Sequence, residues 1–328
     1  MPAQTLHWSK LPPLPDREGF AGMFAGNSGG ALIVAGGANF PDKRPWEGGT
    51  KTWYDTIWAL EKSDGEWKKI GALPLPLAYG GVVNFHDEIV IICGSNSEGH
   101  HADVFSLKWS GNKLITKKLS NLPMTCANFC TALVDGKIIV AGGIEKPDAV
   151  KALHTAWSLD LAHPEEGWKQ LEPWPGKERM LAIAASVDGA FYLLSGAALH
   201  TGKDGKPERD WLKDGFRYTF AKGWEKLPDL PRVAVAAPSP APIVEGGPCI
   251  ISGDDGSKFG FKPEVKHPGF PKDALWYDAK ANQWKSLGPV PFSRATVPCV
   301  PWQGGFVIPN GEERPGYRSN EVWWLTTD

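Results

Sequence analysis

A short apolar run that ends in a small residue and a glycine recurs six times along the 328-residue chain. The copies are Leu32-Ile-Val-Ala-Gly36-Gly37, Ile89-Val-Ile-Ile-Cys93-Gly94, Ile138-Ile-Val-Ala-Gly142-Gly143, Phe191-Tyr-Leu-Leu-Ser195-Gly196, Cys249-Ile-Ile-Ser252-Gly253 and Phe306-Val-Ile-Pro-Asn310-Gly311. From final glycine to final glycine the steps are 57, 49, 53, 57 and 58 residues. A period of that length marks a supersecondary unit that buries its apolar face only against the next unit.

The contents of each unit identify it. A second strand of small or apolar residues precedes the run, as in Phe20-Ala-Gly-Met-Phe-Ala-Gly26 and Met180-Leu-Ala-Ile-Ala-Ala-Ser186, and Asp-Gly turns at 135–136 and 188–189 join two of these pairs. A third strand ends in an aromatic (Trp58, Phe105, Trp157, Trp276). A fourth carries Trp67, Trp168, Trp224 or Trp284 before a Pro-rich link. The second unit uses Leu114 to Leu119 as its fourth strand, and the fourth unit has a weak third strand at Phe216–Phe220. Glycine (38) and proline (29) exceed a fifth of the chain, too much for a helical protein. Four antiparallel strands per unit describe a propeller blade, and the pattern resembles kelch repeats.

The sixth unit stops after three strands, at Leu325, and its missing strand is at the other terminus. Leu6-His7-Trp8-Ser9-Lys10-Leu11 is followed by the usual Pro-rich link, with Trp8 at the Trp67 position. The expectation is an all-β, six-bladed propeller over residues 1–328, one domain, closed by an N-terminal strand that completes the last blade and leaves no free sheet edge.

Several functions are excluded or disfavoured. A net charge of −2 gives no electrostatic case for nucleic acid. No segment approaches the ~20 apolar residues of a membrane helix. The start, Met1-Pro-Ala-Gln, is not a signal peptide, so the expected compartment is the cytoplasm, or the periplasm if an export signal has been removed. The five cysteines, an odd number, read as reduced thiols. Neither a metal nor a cofactor is expected. His100-His101-x-Asp103 lacks a second cluster, Cys126 and Cys130 have the wrong spacing for a zinc knuckle, and Asp204-Gly205 and Asp254-Asp255-Gly256 read as turns.

The chemistry is expected on one face. Strand direction alternates in a blade, so the loops after the glycine pairs and the Pro-rich links emerge together. Long loops run over 38–55, 197–215 and 254–273, and the links carry Arg17, Arg179, Arg232 and Arg294. Arg179 and Arg294 each lie 16 residues before their small-Gly pair. With Arg314 and Arg318 they suggest a small anionic ligand, because a guanidinium fork matches a carboxylate. Trp46, Trp53 and Trp211 in the long loops are candidates to stack on a sugar. The loop Asn310-Gly311-Glu312-Glu313-Arg314-Pro315-Gly316-Tyr317-Arg318 holds four charges where a short turn is usually neutral.

That loop resembles the active-site loop of the bacterial N-acetylneuraminate epimerases, or sialic acid mutarotases. Phe20–Gly26 leading to Ala35-Gly36-Gly37-Ala38, and Ala78-Tyr79-Gly80-Gly81, are similar to that family too. The loop lies mid-chain in the usual member and in the last blade here, which fits a circular permutation, as in the cyclically permuted mutarotases. Leu77 stands where the family tends to have Arg. The resemblance implies Glu312 and Arg318 as the catalytic pair. Glu312, ionised at neutral pH, would act as base and then acid in opening and reclosing a pyranose. Arg318 would hold a carboxylate or stabilise charge on oxygen. Arg179, Arg294, Arg17, Asn39 and Tyr317 are the expected substrate-binding residues, and the partner is a small, anionic sugar. The alternative is a non-catalytic kelch propeller that binds a protein or glycan on the same face.

Overall fold

The computed structural model describes residues 5–110 and 112–327. Six four-stranded antiparallel sheets form a six-bladed propeller. From inside outwards, the first blade is Phe24–Ser28, Ala31–Ala35, Thr56–Leu60 and Lys68–Ala72. The second is Gly81–Phe85, Glu88–Asn96, Gly99–Ser110 and Lys113–Lys118. The fourth is Ile183–Val187, Ala190–Leu194, Gly215–Thr219 and Gly223–Leu227, so the weak third strand forms as expected. The sixth is Val300–Trp302, Gly305–Pro309 and Val322–Thr327, completed by Leu6–Leu11. Trp8 pairs with Leu325 and packs edge-on against Phe292 at 4.9 Å. Among the described residues no helix is long and apolar enough to cross a membrane.

The blades adhere through apolar seams. Phe24, Ile33 and Ile57 of the first blade meet Val82, Ile91 and Phe105 of the second. Ile183 and Tyr192 of the fourth meet Ile250 and Tyr277 of the fifth. In four of the blades the recurring tryptophan ties the blade to the link that enters it. Trp67, Trp168, Trp224 and Trp284 donate Nε1–H to the carbonyls of Pro12, Ser120, Glu172 and Pro228 at 2.7–3.0 Å. An indole buries a large ring and keeps one polar atom that needs a partner, which accounts for Trp over Phe at this position.

The inner strands begin later than the sequence suggests, at Phe24 rather than Phe20 and at Ile183 rather than Met180. The preceding residues turn toward the axis instead. Each link bridges the residue after its blade's glycine: Ala21 with Ala38, Ala78 with Ser95, Ala127 with Ile144, Met180 with Ala197, Val235 with Asp254 and Ala295 with Glu312. The next residue of each link then bonds its counterpart one blade round. Tyr79 N–H donates to Gly22, Asn128 to Tyr79, Leu181 to Asn128, Ala236 to Leu181, Thr296 to Ala236 and Gly22 to Thr296, all at 2.6–2.8 Å. These six backbone hydrogen bonds close a circle round the axis. All six residues have φ between 54° and 64°, though only one is glycine. At Gly22 a Cβ would sit 2.5 Å from the Tyr79 ring, so this position takes glycine for space as well as conformation.

All five cysteines are buried. Burial pushes the Cys130 and Cys249 thiols up to about 12 and raises those of Cys93, Cys126 and Cys299 as well. Iodoacetamide at pH 8 is therefore expected to leave the native protein unlabelled and to modify every thiol after denaturation, as mass spectrometry would read. Rapid labelling of the native state would contradict this packing.

Candidate active site

The circle of hydrogen bonds is the floor of a funnel of about 570 Å³, and Tyr79, Asn128, Leu181, Ala236 and Thr296 face into it. Beneath the same residues a narrow axial cavity of about 80 Å³ is lined by Met23, Val82, Phe129 and Val297. The funnel walls come from the loops after the glycine pairs. Three of these loops fold into two-stranded hairpins: Ala38–Asn39 with Thr52–Trp53, Ala197–Thr201 with Pro207–Trp211, and Glu312–Arg314 with Tyr317–Arg318. The walls carry Phe40, Lys51, Leu199, Arg209, Asp254, Phe270, Glu312 and Arg318.

Glu312 and Arg318, the pair that the loop's resemblance singles out, meet in the wall. They are cross-strand partners, and Arg318 Nη1 donates to Glu312 Oε1 at 2.6 Å. The Gly316 N–H donates to the same oxygen at 2.9 Å, which leaves Oε2 free of a protein donor among the described residues. Burial drags the Arg318 guanidinium down, but Glu312 and then Tyr79 outweigh it and hold it more firmly protonated than a free arginine. Its Cζ lies 5.2 Å from the Phe40 ring. The Tyr79 hydroxyl lies close to the Arg318 guanidinium but outside good hydrogen-bond geometry, and Arg318 Nε is buried without a partner. Gly311, at φ +98°, starts the loop; a Cβ there would press on Val297 and Arg294 at 3.0–3.1 Å.

The other expected binding residues are not brought to the funnel. Arg179 is fully buried and forms a bidentate pair with Asp214, both bonds 2.9 Å, and also donates to the Ser195 carbonyl. Arg294 is buried too, bonded to Glu321 at 3.0 Å and to Ser319 and Ser293. Arg232 pairs with Asp273 and donates to the Ser252 carbonyl. All three brace the carboxylate just before, or at the start of, their blade's third strand. Leu77, which departs from the family pattern, is fully buried at the register of Arg179 and Arg294, 16 residues before Cys93. Arg17 points to solvent, its side chain 93% exposed. Asn39 is buried, donating to Gly19 and accepting from Tyr54. Tyr317 lies against Trp46 at 5.6 Å, between the guanidinium groups of Arg44 and Arg314. Trp53 borders an adjoining recess with His100, and Trp211 packs on Phe259.

Three funnel residues escaped the sequence reading. Asp254 is the register equivalent of Glu312 one blade earlier, since each follows its blade's glycine and bridges the incoming link. The signal was present: Asp254 follows Gly253 as Glu312 follows Gly311. Burial raises the Asp254 carboxyl above the usual range; the Gly256 N–H and Arg209 pull the other way. Arg209 comes from the hairpin inserted in the fourth blade. Lys51 reaches in from the first, its ammonium 5.0 Å from the Tyr79 ring.

A propeller whose axial funnel gathers two carboxylates, two guanidiniums and an ammonium is a scaffold for acid–base work on a small polar molecule. Comparison with known proteins gives a more particular likeness. A family model described as N-acetylneuraminate epimerase matches residues 1–116. The N-acetylneuraminate epimerase of Salmonella arizonae is 39% identical over 120 residues, 33% of this chain and 31% of the relative. That of Brucella suis is 37% identical over 124 residues, again 33% and 31%. The chain thus spans about a third of the length of these curated relatives. A solved structure, that of YjhT, superposes over 98% of this chain and all of its own at a TM-score of 0.70 and 17% identity, a likeness of fold.

Proposed function

We propose that this protein is a mutarotase that interconverts the anomers of N-acetylneuraminate or a related sugar acid. The observation that carries the reading is the Glu312 carboxylate, held at one oxygen by Arg318 and the Gly316 N–H and turned into a closed-floor funnel. The names of the matched relatives support the substrate class.

Glu312 takes the proton of the anomeric hydroxyl. The ring C–O bond breaks as the carbonyl forms, and the ring oxygen accepts a proton from Asp254. Rotation about the bond next to the carbonyl presents its other face. The hydroxyl then returns its proton to Asp254 as it attacks, and Glu312 protonates the new anomeric oxygen. No net proton is consumed. Arg318 steadies the charge that moves between Glu312 and the anomeric oxygen.

The assay is proton NMR of freshly released α-N-acetylneuraminate, with and without catalytic protein. Faster appearance of the β anomer supports the reading; an unchanged rate, with other aldoses also unaffected, removes it. A raised Asp254 pKa has a direction in this assay. As the acid, Asp254 works protonated, so the rate falls as pH rises through its pKa. Asp254→Asn is expected to lose that limb and at least tenfold in rate. An unaltered pH profile would remove Asp254 from the mechanism.

A non-catalytic binding propeller remains the second reading, favoured by one observation. Phe259 and Val265, on the fifth blade's long loop, are 71% and 53% exposed.

A further inference from the structure

We infer that Arg209, carried into the funnel by the hairpin of the fourth blade, is the anchor for the substrate's carboxylate and makes the site selective for sugar acids over neutral sugars. The anchor presupposes the sugar substrate proposed above.

The hairpin Ala197–Thr201 with Pro207–Trp211 divides its side chains as a two-stranded sheet must. Leu199 and its cross-strand partner Arg209 face the funnel. On the other face His200 lies 3.4 Å from Glu208 and 3.5 Å from Asp210, which also pairs with Lys177 at 2.8 Å. These contacts hold the outer face and leave the inner one to the ligand. Trp211 fixes the hairpin's base: its ring packs at 5.9 Å from Phe259 and over Gly256, where a Cβ would approach it to 2.5 Å.

Every other arginine discussed as an anion binder is committed or remote. Arg179, Arg232 and Arg294 brace carboxylates of their own blades, Arg318 is bonded to Glu312, and Arg17 is in solvent. Arg314 donates to the carbonyls of Val265 and His267. Arg209 lines the funnel with no carboxylate at ion-pair distance among the described residues, yet it feels the charges of both Asp254 and Glu312. Burial lowers its pKa, while Asp254 and then Glu312 pull the other way.

Location decides between Arg209 and Lys51, the other funnel cation without an ion pair among the described residues. In a 2-keto sugar acid the carboxylate is bonded to the anomeric carbon itself. Its anchor must therefore face the group that takes the anomeric proton, and Arg209 lines the same funnel as Glu312 and feels its charge. Lys51 is turned toward the rings of Phe40, Trp53 and Tyr79 at 5.0–5.8 Å. A guanidinium fork also orients a carboxylate in two bonds, where an ammonium offers a point charge.

The test is calorimetric binding of the α-methyl glycoside of N-acetylneuraminate, which cannot anomerise, and of its neutral methyl ester. Wild-type protein is expected to prefer the acid. Arg209→Gln should weaken acid binding roughly 30-fold or more and leave the ester unchanged, erasing the preference. Arg209→Lys should fall between and serves if the glutamine variant does not fold. Equal acid affinity in wild type and variants overturns the anchor and leaves the mutarotase reading standing. Arg209-dependent binding by a protein that fails to accelerate anomerisation does the reverse. Absence of binding to either probe overturns both.

Discussion

Glu312→Gln should fold as wild type does and lose about 10²–10⁴-fold of the anomerisation rate, the range ascribed to a positioned acid–base group. The substitution is nearly isosteric. Its amide oxygen can still accept from the Gly316 N–H and from Arg318 Nη1, which now bond Oε1 at 2.9 and 2.6 Å. What disappears is the basic oxygen and the charge. The charge has a structural side: the Arg318 side chain is only 6% exposed, so removing its counter-ion costs stability, on the order of 1–3 kcal/mol for a charged hydrogen-bond partner lost. Thermal unfolding recorded beside the NMR assay separates the two effects. Full anomerisation by a folded Glu312→Gln protein would take Glu312 out of the chemistry.

The second large effect concerns stability. Arg179→Ala should destabilise the propeller by about 3–5 kcal/mol, the cost of breaking a buried pair from one side. Asp214 would keep its charge and lose both 2.9 Å bonds, and the Ser195 carbonyl would lose a donor. The protein that remains folded should bind and turn over its substrate as wild type, because Arg179 lies outside the funnel wall. Removing both charges, as Arg179→Met with Asp214→Leu, should recover much of the loss. Urea unfolding measures the first expectation and KM the second. A raised KM at unchanged stability would return Arg179 to the role of ligand anchor.

Much of this architecture was legible before any coordinates. Six small-Gly pairs count the blades, and Trp8 at the position of Trp67 shows that the N-terminal strand belongs to the last one. Such signals are local. A glycine pair ends a strand wherever the strand lies, and in four blades a fourth-strand indole donates its one hydrogen bond to the incoming link. Glu312 and Arg318 were singled out through the resemblance of their loop, and the hairpin that brings them into contact came only with the structure.

The arginines were not legible, because sequence gives the face on which a side chain starts but not the partner it finds. Arg179 and Arg294 were expected at the axis from their equal spacing, yet Asp214 and Glu321 offer each a closer carboxylate within its own blade. Arg209 reaches the axis through a hairpin whose inward face depends on register, and one residue of slip would have turned it to solvent.

Sequence by itself determined the number of blades and their closure, because each follows from a local pattern repeated. Tertiary structure alone decided the floor of the funnel. There Tyr79, Leu181, Ala236 and Thr296 adopt a left-handed backbone that their side chains disfavour, and Asn128 one that asparagine tolerates. Each is held by a hydrogen bond to the blade before and another to the blade after. Only a closed ring supplies both.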